Sequence, residues 1–423
     1  MIKVCFAVTV LVLFLLASVS GGGPSKGPLF AGAGKARIDV PSGMHLAGYF
    51  DRFSAPSTGV HDFVFARALI LSSQGRRAAL VNADVLLSTR ELVEKLKRRV
   101  SDLELDFLVV TATHTHYSLG GYVDNPMAEI AVMGRYEPES EKILLDSMEK
   151  ALRQASADMQ PALFGSGTGP SPGVAQNRRH KGGPTDPSMR VSGFWRSDGS
   201  LLAMIVNHAI HPTIMPSKTM EASGGCTGVA ESLLEKKHEG AVAMYMNAGL
   251  GDQGPGVSGM EGDWKKVEYI GNALAERADE VLSGIVPERQ VEMKIYERTF
   301  AMPEARLNPD YSCWYGLNPF IKRLGKDMIR QKGKISGLAI NDTLLLFSPG
   351  ELGYEVQAEL TELFPSYRVM VVTHSNDYWG YIIMPGDYET GGYESCMNFY
   401  GKDFAPELIG EFENMIKTPS EDN

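Results

Sequence analysis

The sequence has 423 residues, of which 43% are hydrophobic, and its formal net charge is −10 at pH 7. This length and apolar content predict a globular protein with a buried core. The acidic balance argues against a nucleic-acid binder, since such proteins carry a basic patch that contacts phosphates.

The N-terminus has the pattern of a secretory signal peptide. An early lysine is followed by the apolar run VCFAVTVLVLFLLA and then by small residues, SVSGGG. The alternative is a retained membrane anchor, but this run is shorter than the roughly 20 residues that span a bilayer. We therefore predict a cleaved signal peptide over residues 1–21, a flexible Gly/Pro-rich linker over residues 22–32 and a single domain over residues 33–423. A secreted or periplasmic location follows.

Strands and helices alternate along the rest of the chain. The predicted strands are RAALVNADVLL, DFLVVTATHTH, PALFGSG, MRVSGFW, SLLAMIVNHAIHP, AVAMYMNAG, VEMKIYERTFAMP, the paired run GLAINDTLLLFSPG, and RVMVVTHSNDYWGY. The predicted helices are STRELVEKLKRRVSDL, PESEKILLDSMEKALRQASADM, GVAESLLEKKHE, WKKVEYIGNALAERADEVLSGI, LGYEVQAELTELF and a closing helix over residues 404–416. Such alternation predicts an α/β protein with layered mixed sheets flanked by helices.

Cysteine usage allows little cross-linking. Cys5 falls within the predicted signal peptide, and the remaining three, Cys226, Cys313 and Cys396, permit at most one disulfide.

Two histidines close together at the end of a predicted strand are the first candidates for function. In TATHTHYSLGGY, His114 and His116 stand two residues apart, so a continuing strand would point both rings to one face. Imidazole is a common zinc ligand, and this spacing is suited to a metal site. Two histidines that make only structural hydrogen bonds would give the same pattern.

Two further strand ends carry candidate ligands. LLAMIVNHAIHP ends at His211 before a proline, whereas His208 lies on the opposite face by parity and is expected to be a packed residue. TLLLFSPGE places Glu351 after a Pro-Gly turn. The alternative role for Glu351 is that of an N-cap or first-turn acid of the next helix.

These segments resemble the catalytic domain of the neutral/alkaline ceramidase family, which hydrolyses the amide bond of ceramide. Further segments that resemble it are KARIDVPSGMHLAGY, GVHDFVFARALIL, QNRRHKGGPTDPSMRV and YWGYIIMPGDYETGGYE. The resemblance extends from about residue 33 to about residue 399, in the family's order. It implies the family's fold for this domain. The better-known ceramidases carry an immunoglobulin-like domain after it, and we expect none here because the chain ends soon after the catalytic segment.

The resemblance also implies a zinc site and its ligands. The matching residues are His114, His211, Glu351 and Tyr381. By itself, Tyr381 would pass as an aromatic residue at a strand end. In this site zinc would activate water for attack on an N-acyl amide. The substrate would be a small molecule or lipid, which is compatible with peripheral contact at a membrane.

Residues that contact the substrate are implied in the same way. His116 matches the second histidine of the family's T-H-T-H motif, and Arg178 matches the arginine of its N-R-S segment. Tyr393 matches a later tyrosine that precedes glutamate. We expect these three to donate hydrogen bonds to the developing oxyanion, with His116 as the proton shuttle.

Two glycines depart from the family pattern. Gly254, in GDQGP, stands where the family has a serine near the scissile amide, and Gly225, in SGGCTG, stands where relatives often carry an aspartate. Three functions therefore remain open: a zinc amidase acting on ceramide-like substrates, a zinc hydrolase of a soluble amide or ester, and a catalytically silent binding protein.

Overall fold

The computed structural model describes residues 26–52, 55–256, 264–310, 313, 323 and 329–418, so the predicted signal peptide lies outside the described residues. The helices are α1 (Arg90–Arg99), α2 (Pro126–Ala128), α3 (Pro138–Ala157), α4 (Gly225–Lys237), α5 (Trp264–Ser283), α6 (Tyr354–Leu363), α7 (Pro385–Glu389), α8 (Tyr393–Cys396) and α9 (Phe404–Lys417). A π-helical turn over Glu129–Met133 follows α2, and 3-10 turns lie at Phe50–Arg52 and Ser101–Leu103. None of the helices within the described ranges is both long and apolar enough to cross a bilayer.

The strands include all the predicted ones, together with two long strands, Gly27–Ile38 and Val64–Ser73, which were not predicted as strands from the sequence. They are β1 (Gly27–Ile38), β2 (Gly59–Val60), β3 (Val64–Ser73), β4 (Arg76–Ala83), β5 (Phe107–Ala112), β6 (Gln160–Pro170), β7 (Ala175–Asn177), β8 (Ser188–Arg196), β9 (Leu201–Asn207), β10 (Glu221–Ala222), β11 (Val242–Tyr245), β12 (Gln253–Pro255), β13 (Gln290–Val291), β14 (Met293–Ala301), β15 (Lys332–Ile340), β16 (Thr343–Phe347), β17 (Glu351–Leu352), β18 (Arg368–Val372) and β19 (Tyr381–Ile382).

Two large sheets pack face to face. The first has nine strands in the order β11-β9-β8-β6-β1-β3-β4-β5, with β13 also paired to β1, and the second has the order β14-β15-β16-β18. Both are mixed: β1 and β3 are antiparallel, whereas β4 and β5, β9 and β11, and β16 and β18 are parallel. Side chains such as Leu69, Phe107, Phe347 and Met370 form one buried cluster between the sheets. The predicted fold class is confirmed.

Helices cover the outer faces of both sheets. On the nine-stranded sheet, α3 packs against β1 and β3, while α4 and α5 cover the part that contains β8 and β11. On the four-stranded sheet, α6 contacts β18 and α9 contacts β14. The layers therefore run helix, sheet, sheet, helix, and this arrangement buries both faces of each large sheet.

The predicted linker over residues 22–32 is wrong from Gly27 onward. Residues 27–38 form β1, which lies between β3 and β6 in the middle of the sheet. The glycines that suggested a linker instead allow α3 to approach closely: a Cβ on Gly32 would lie 2.1 Å from the carbonyl oxygen of Ala155, and one on Gly34 would lie 2.2 Å from that of Ala151.

The ends of several strands are hydrogen bonded to one another across the two sheets. Val110 in β5 makes two hydrogen bonds with Asn376, which follows β18: its N–H donates to the side-chain oxygen Asn376 Oδ1 and its carbonyl accepts from Asn376 N–H, both at 2.8 Å. Thr373 N–H donates to the carbonyl of Asn247, which follows β11, at 2.9 Å. These bonds bring the residues that follow β5, β11 and β18 to one place.

Replacing Gly34 by alanine tests the close contact between α3 and β1. We expect Gly34→Ala to lower the free energy of unfolding by about 1–3 kcal/mol, because the added methyl group must displace a helix carbonyl. Urea denaturation measures this change. Gly410→Ala in α9 is the control, since nothing lies within 4 Å of its added Cβ, and a helical alanine should be neutral or stabilising by up to about 1 kcal/mol. Equal stability of the two variants would contradict the close contact.

Candidate metal centre

His114 and His116 lie in a turn rather than on a strand. β5 ends at Ala112, and His114 has φ 62°, in the left-handed region. The prediction that both rings share one strand face is therefore wrong in its geometry. The turn nevertheless brings the rings together edge to face, with centroids 4.8 Å apart and the two Nε2 atoms separated by 3.2 Å.

His211 brings a third imidazole to the same place. Its Nε2 lies 3.1 Å from Nε2 of His114 and 3.2 Å from Nε2 of His116, and its backbone N–H donates to the carbonyl of Gln253. His208, expected to be a packed residue, is fully buried, and its Nδ1 lies 3.0 Å from the carbonyl oxygen of Ser188. It stands apart from the three clustered rings.

A hydrogen bond fixes the orientation and tautomer of His114. Its Nδ1 lies 2.7 Å from the carbonyl oxygen of Leu86. A carbonyl only accepts, so Nδ1 carries the hydrogen and Nε2 offers a lone pair to the cluster. Burial is the main reason that the pKa of His114 is lowered to about 3, and burial also holds the pKa values of His116 and His211 well below the ordinary value. Uncharged imidazole is the form that binds metals.

Glu351 faces the histidines from the second sheet's side. It lies on β17, directly paired with Tyr381 on β19. Its Oε2 lies 3.7 Å from His114 Nε2 and 3.8 Å from His211 Nδ1. The alternative role as a helix cap does not apply, because α6 begins at Tyr354 with Gly353 as its N-cap.

Glu351 is ionised although it is buried. Burial alone would raise its pKa, but the surrounding imidazoles and the Tyr381 hydroxyl lower it below the ordinary value. The hydroxyl of Tyr378 donates to Oε1 at 2.8 Å. The site therefore combines a buried carboxylate with uncharged rings, which is the kind of donor set that zinc takes.

Tyr381 and Arg178 also lie at the site, whereas Tyr393 lies at its rim. The Tyr381 side chain is buried, and its hydroxyl oxygen accepts from Nη2 of Arg178 at 2.9 Å. The Tyr393 side chain is 57% exposed and packs edge to face on Tyr381, with centroids 5.6 Å apart. Burial would lower the pKa of Arg178, but the nearby Tyr381, Glu394 and Glu351 raise it, so the guanidinium stays charged.

His374 belongs to the site and was missed from the sequence. It follows β18, its ring stacks on that of His114 at 4.1 Å, and its Nε2 lies 3.9 Å from Glu351 Oε1. A signal was available, because the strand ending VVTH over residues 371–374 repeats the apolar run and threonine that precede His114 in VVTATH. Tyr378, in the same segment, was missed as well.

Unsatisfied polar atoms surround the point where these side chains meet. Among the described residues, His116 Nδ1, His211 Nδ1, Glu351 Oε2 and His374 Nε2 are buried without a hydrogen-bond partner. Two groups could hold a metal ion: His114, His116 and His211, and His114, Glu351 and His374. Ligands arranged tetrahedrally at a zinc–nitrogen distance of ~2.0–2.1 Å lie roughly 3.3 Å apart. The observed Nε2 separations of 3.1–3.2 Å fit a cation of that size.

The loop that carries His116 is held by a buried arginine. Arg52 donates from Nη1 to the carbonyls of Ala47 and His116, from Nε to that of Ser217, and from Nη2 to that of Thr219. One guanidinium thus ties together three segments beside the histidines.

The two departing glycines occupy defined positions. Gly254, on β12, pairs with Gln176 on β7, and a Cβ added there would lie 3.4 Å from Arg178 Cβ, which leaves room for a small side chain. Gly225 begins α4 with φ 64°, a conformation that favours glycine.

The family model described as neutral/alkaline non-lysosomal ceramidase, N-terminal, matches residues 30–278. The chain belongs to this family. The resemblance inferred from the motifs is thereby confirmed. The matched range contains Arg178 and the three clustered histidines, His114, His116 and His211. The other site residues, Glu351, Tyr381 and Tyr393, lie beyond it.

Neutral ceramidases are among the proteins that are similar to this chain in sequence. Neutral ceramidase of Drosophila melanogaster is 24% identical over 256 residues, 54% of this chain and 36% of that protein. Neutral ceramidase of Pseudomonas aeruginosa is 24% identical over 253 residues, 55% of this chain and 38% of that protein. The matches thus span little more than a third of these relatives.

The solved structures extend the likeness of fold along the chain. The crystal structure of Pseudomonas aeruginosa neutral ceramidase superposes with a TM-score of 0.78 at 20% identity and covers 92% of this chain and 74% of that one. A structure titled as ceramidase complexed with C2 gives 0.75 at 20% identity, with 92% and 75% coverage.

Replacing Tyr378 by phenylalanine tests how the carboxylate is held. Tyr378→Phe removes the hydroxyl that donates to Glu351 and keeps the ring, so we expect zinc affinity to fall by about 10- to 100-fold, as is usual when a ligand loses its supporting hydrogen bond. Competition with a chromophoric chelator measures the affinity. Tyr296→Phe, in β14, removes a hydroxyl away from the site and should leave the affinity unchanged. An unchanged affinity in Tyr378→Phe would contradict a role for this bond.

Proposed function

We propose that the protein is a zinc-dependent amidohydrolase that cleaves a ceramide-like N-acyl amide with activated water. The observation that carries the proposal is the convergence of three neutral imidazoles and one ionised carboxylate in a buried, under-satisfied cluster. Membership of the ceramidase family supports an amide as the bond that is cleaved.

The proposed ligands are His114, His211, Glu351 and Tyr381, and His116 faces the same centre. Zinc bound there would lower the pKa of a water molecule from about 15.7 to roughly 7 and so supply a nucleophile at neutral pH. The carboxylate of Glu351 and the phenol of Tyr381, whose residues are paired across β17 and β19, would supply the oxygen donors.

Arg178 is proposed to stabilise negative charge on the substrate, and His116 is proposed to transfer a proton. The charged guanidinium of Arg178 lies beside the Tyr381 oxygen, where it would stabilise negative charge on the carbonyl oxygen of the substrate. We assign to His116 the transfer of a proton to the leaving amine nitrogen, since its ring lies in the cluster and its Nδ1 has no hydrogen-bond partner among the described residues. Tyr393, exposed at the rim, is placed to contact the substrate.

Two exposed apolar side chains in segments next to the site support a lipid over a soluble amide. Phe50 is 57% exposed and follows Tyr49, whose ring lies 4.9 Å from that of His116. Ile130, 45% exposed, lies in the π-helical turn whose Val132 carbonyl accepts from Gly48 N–H. Clustered exposed apolar side chains mark binding surfaces for lipids or proteins.

We also propose that the protein works outside the cytoplasm. The N-terminal pattern of charge, apolar core and small residues supports export. The disulfide between Cys313 and Cys396 supports it independently, since disulfides persist mainly in oxidising compartments.

Metal removal tests the proposed chemistry. Purified protein should release fatty acid from an N-acyl sphingosine, lose this activity with a chelator and regain it with zinc. His211→Ala should reduce the rate by more than about 100-fold, since loss of a ligand costs more than loss of a supporting contact. His238→Gln, at the C-cap of α4 and away from the site, is the control.

The substrate panel separates the alternatives. Hydrolysis of soluble amides or esters but not of N-acyl sphingosine would favour the soluble-substrate function. Zinc binding without any hydrolysis would favour the silent binding protein.

Restoring a hydroxyl at Gly254 tests the departure from the family. An added Cβ meets its nearest neighbour at 3.4 Å, so we expect Gly254→Ser to fold normally and to raise kcat by up to about 100-fold, the lower end of what one oxyanion donor supplies. Gly254→Ala adds the same Cβ without the hydroxyl and should leave kcat unchanged. An equal rise in both variants would attribute the effect to packing.

A further inference from the structure

The short helix α8 is held by tertiary contacts although it is only one turn long. A helix of four residues is not stable by itself. Here Ser395 Oγ donates to the carbonyl of Tyr388 at 2.8 Å and accepts from Asn308 Nδ2 at 2.7 Å, and Cys396 is bonded to Cys313. Tertiary contacts therefore hold the helix in place, and the position of its second residue, Glu394, is well defined.

Glu394 is a buried carboxylate shared by two consecutive arginines. Its side chain is 7% exposed. Oε1 accepts from Arg178 Nε at 2.8 Å, and Oε2 accepts from Arg179 Nη1 at 2.6 Å. Among the described residues, no hydrogen bond links this carboxylate directly to the histidine cluster, so we expect its effect on the site to pass through Arg178.

Arg179 anchors the carboxylate from the other side. Its Nη2 donates to the carbonyl of Asp387 at 2.7 Å, to Thr390 Oγ1 at 2.9 Å and to the carbonyl of Gly391 at 2.8 Å. These acceptors belong to α7 and the loop that follows it. Arg179 thus links Glu394 to α7 and the loop after it. Glu394 is in turn a well-positioned acceptor for Arg178.

Two hydrogen bonds in different directions fix the plane of the Arg178 guanidinium. Nε donates to Glu394 and Nη2 donates to the hydroxyl oxygen of Tyr381. A planar guanidinium held at two of its nitrogens has little freedom to rotate. Without Glu394, only the bond to Tyr381 would orient this group.

We infer that Glu394 is a positioning residue that holds Arg178 against the Tyr381 oxygen, and through it sets both the orientation of that oxygen as a metal ligand and the charge that faces the substrate. This inference rests on the proposed function for its catalytic part. Its metal-binding part stands on the geometry of these three side chains.

The experiment compares Glu394→Gln, Arg178→Ala and the double variant. Glu394→Gln keeps the size of the side chain but replaces one acceptor oxygen by a donor NH₂ group, which cannot serve both arginines. We expect zinc affinity to fall by about 10-fold, in the range for a group that supports a ligand, and kcat to fall by about 10-fold or more with KM changed by less than about 3-fold, as for an interaction made in the transition state. Glu389→Gln, an exposed acid on α7 that pairs with Lys402, is the matched control and should be unchanged.

The double variant decides whether Glu394 acts through Arg178. In the Arg178→Ala background, Glu394→Gln should cost nothing further in zinc affinity or kcat, because residues that act in sequence are not additive. Losses that multiply, or a Glu394→Gln protein equal to the wild type, would overturn the inference. If no variant, including the wild type, hydrolyses N-acyl sphingosine but the zinc affinities follow the expected pattern, the proposed function fails and the positioning role of Glu394 stands.

Discussion

The site depends on hydrogen bonds that tie the end of β5 to the segment after β18. Val110 and Asn376 exchange two bonds, and Ser88 Oγ donates to the carbonyls of both Val110 and His374. These contacts join the nine-stranded sheet to the four-stranded one at the edge where the histidines lie. They place His374, which follows β18 of the second sheet, on His114. Glu351, in the two-stranded sheet of β17 and β19, faces the same imidazoles.

The cost of this arrangement is electrostatic. Burying a carboxylate and several imidazoles without full hydrogen bonding is unfavourable, and polar groups in proteins are otherwise nearly always paired. The unsatisfied atoms of His116, His211, Glu351 and His374 concentrate in one cluster. A cation bound among these side chains would offset part of this cost, because neutral imidazoles and a carboxylate can ligate it.

Much of the fold could be predicted from sequence periodicity. The strands around β4, β5, β9 and β18 and the six long helices follow the expected pattern, because their apolar periodicity directly reflects burial. The linker prediction failed at β1, since glycine composition is the same in a flexible segment and in a strand crossed closely by a helix. Only the position of α3 distinguishes the two, and that depends on tertiary structure.

Part of the candidate site could also be predicted, because some of its residues follow apolar strands in the sequence. His114, His211 and Glu351 each follow an apolar strand, which is a local signal. The shared face of His114 and His116 was argued from strand parity, which fails because the chain turns at His114 with a positive φ. His374 and Tyr378 were missed because their role depends on how the two sheets meet. The roles of Tyr381, Arg178 and Tyr393 came only from the family resemblance, since no periodicity singles out these residues.

The central place of β1 has a consequence for how the chain acquires its structure. One neighbour of β1, the strand β3, follows it closely in the sequence. Its other neighbour, β6, begins more than a hundred residues later, and the helix α3 that covers β1 lies between β3 and β6 in the sequence. Contacts of such sequence separation slow folding, because the long intervening loop must close before they form. The middle of the nine-stranded sheet is therefore completed only after β6 has been synthesised.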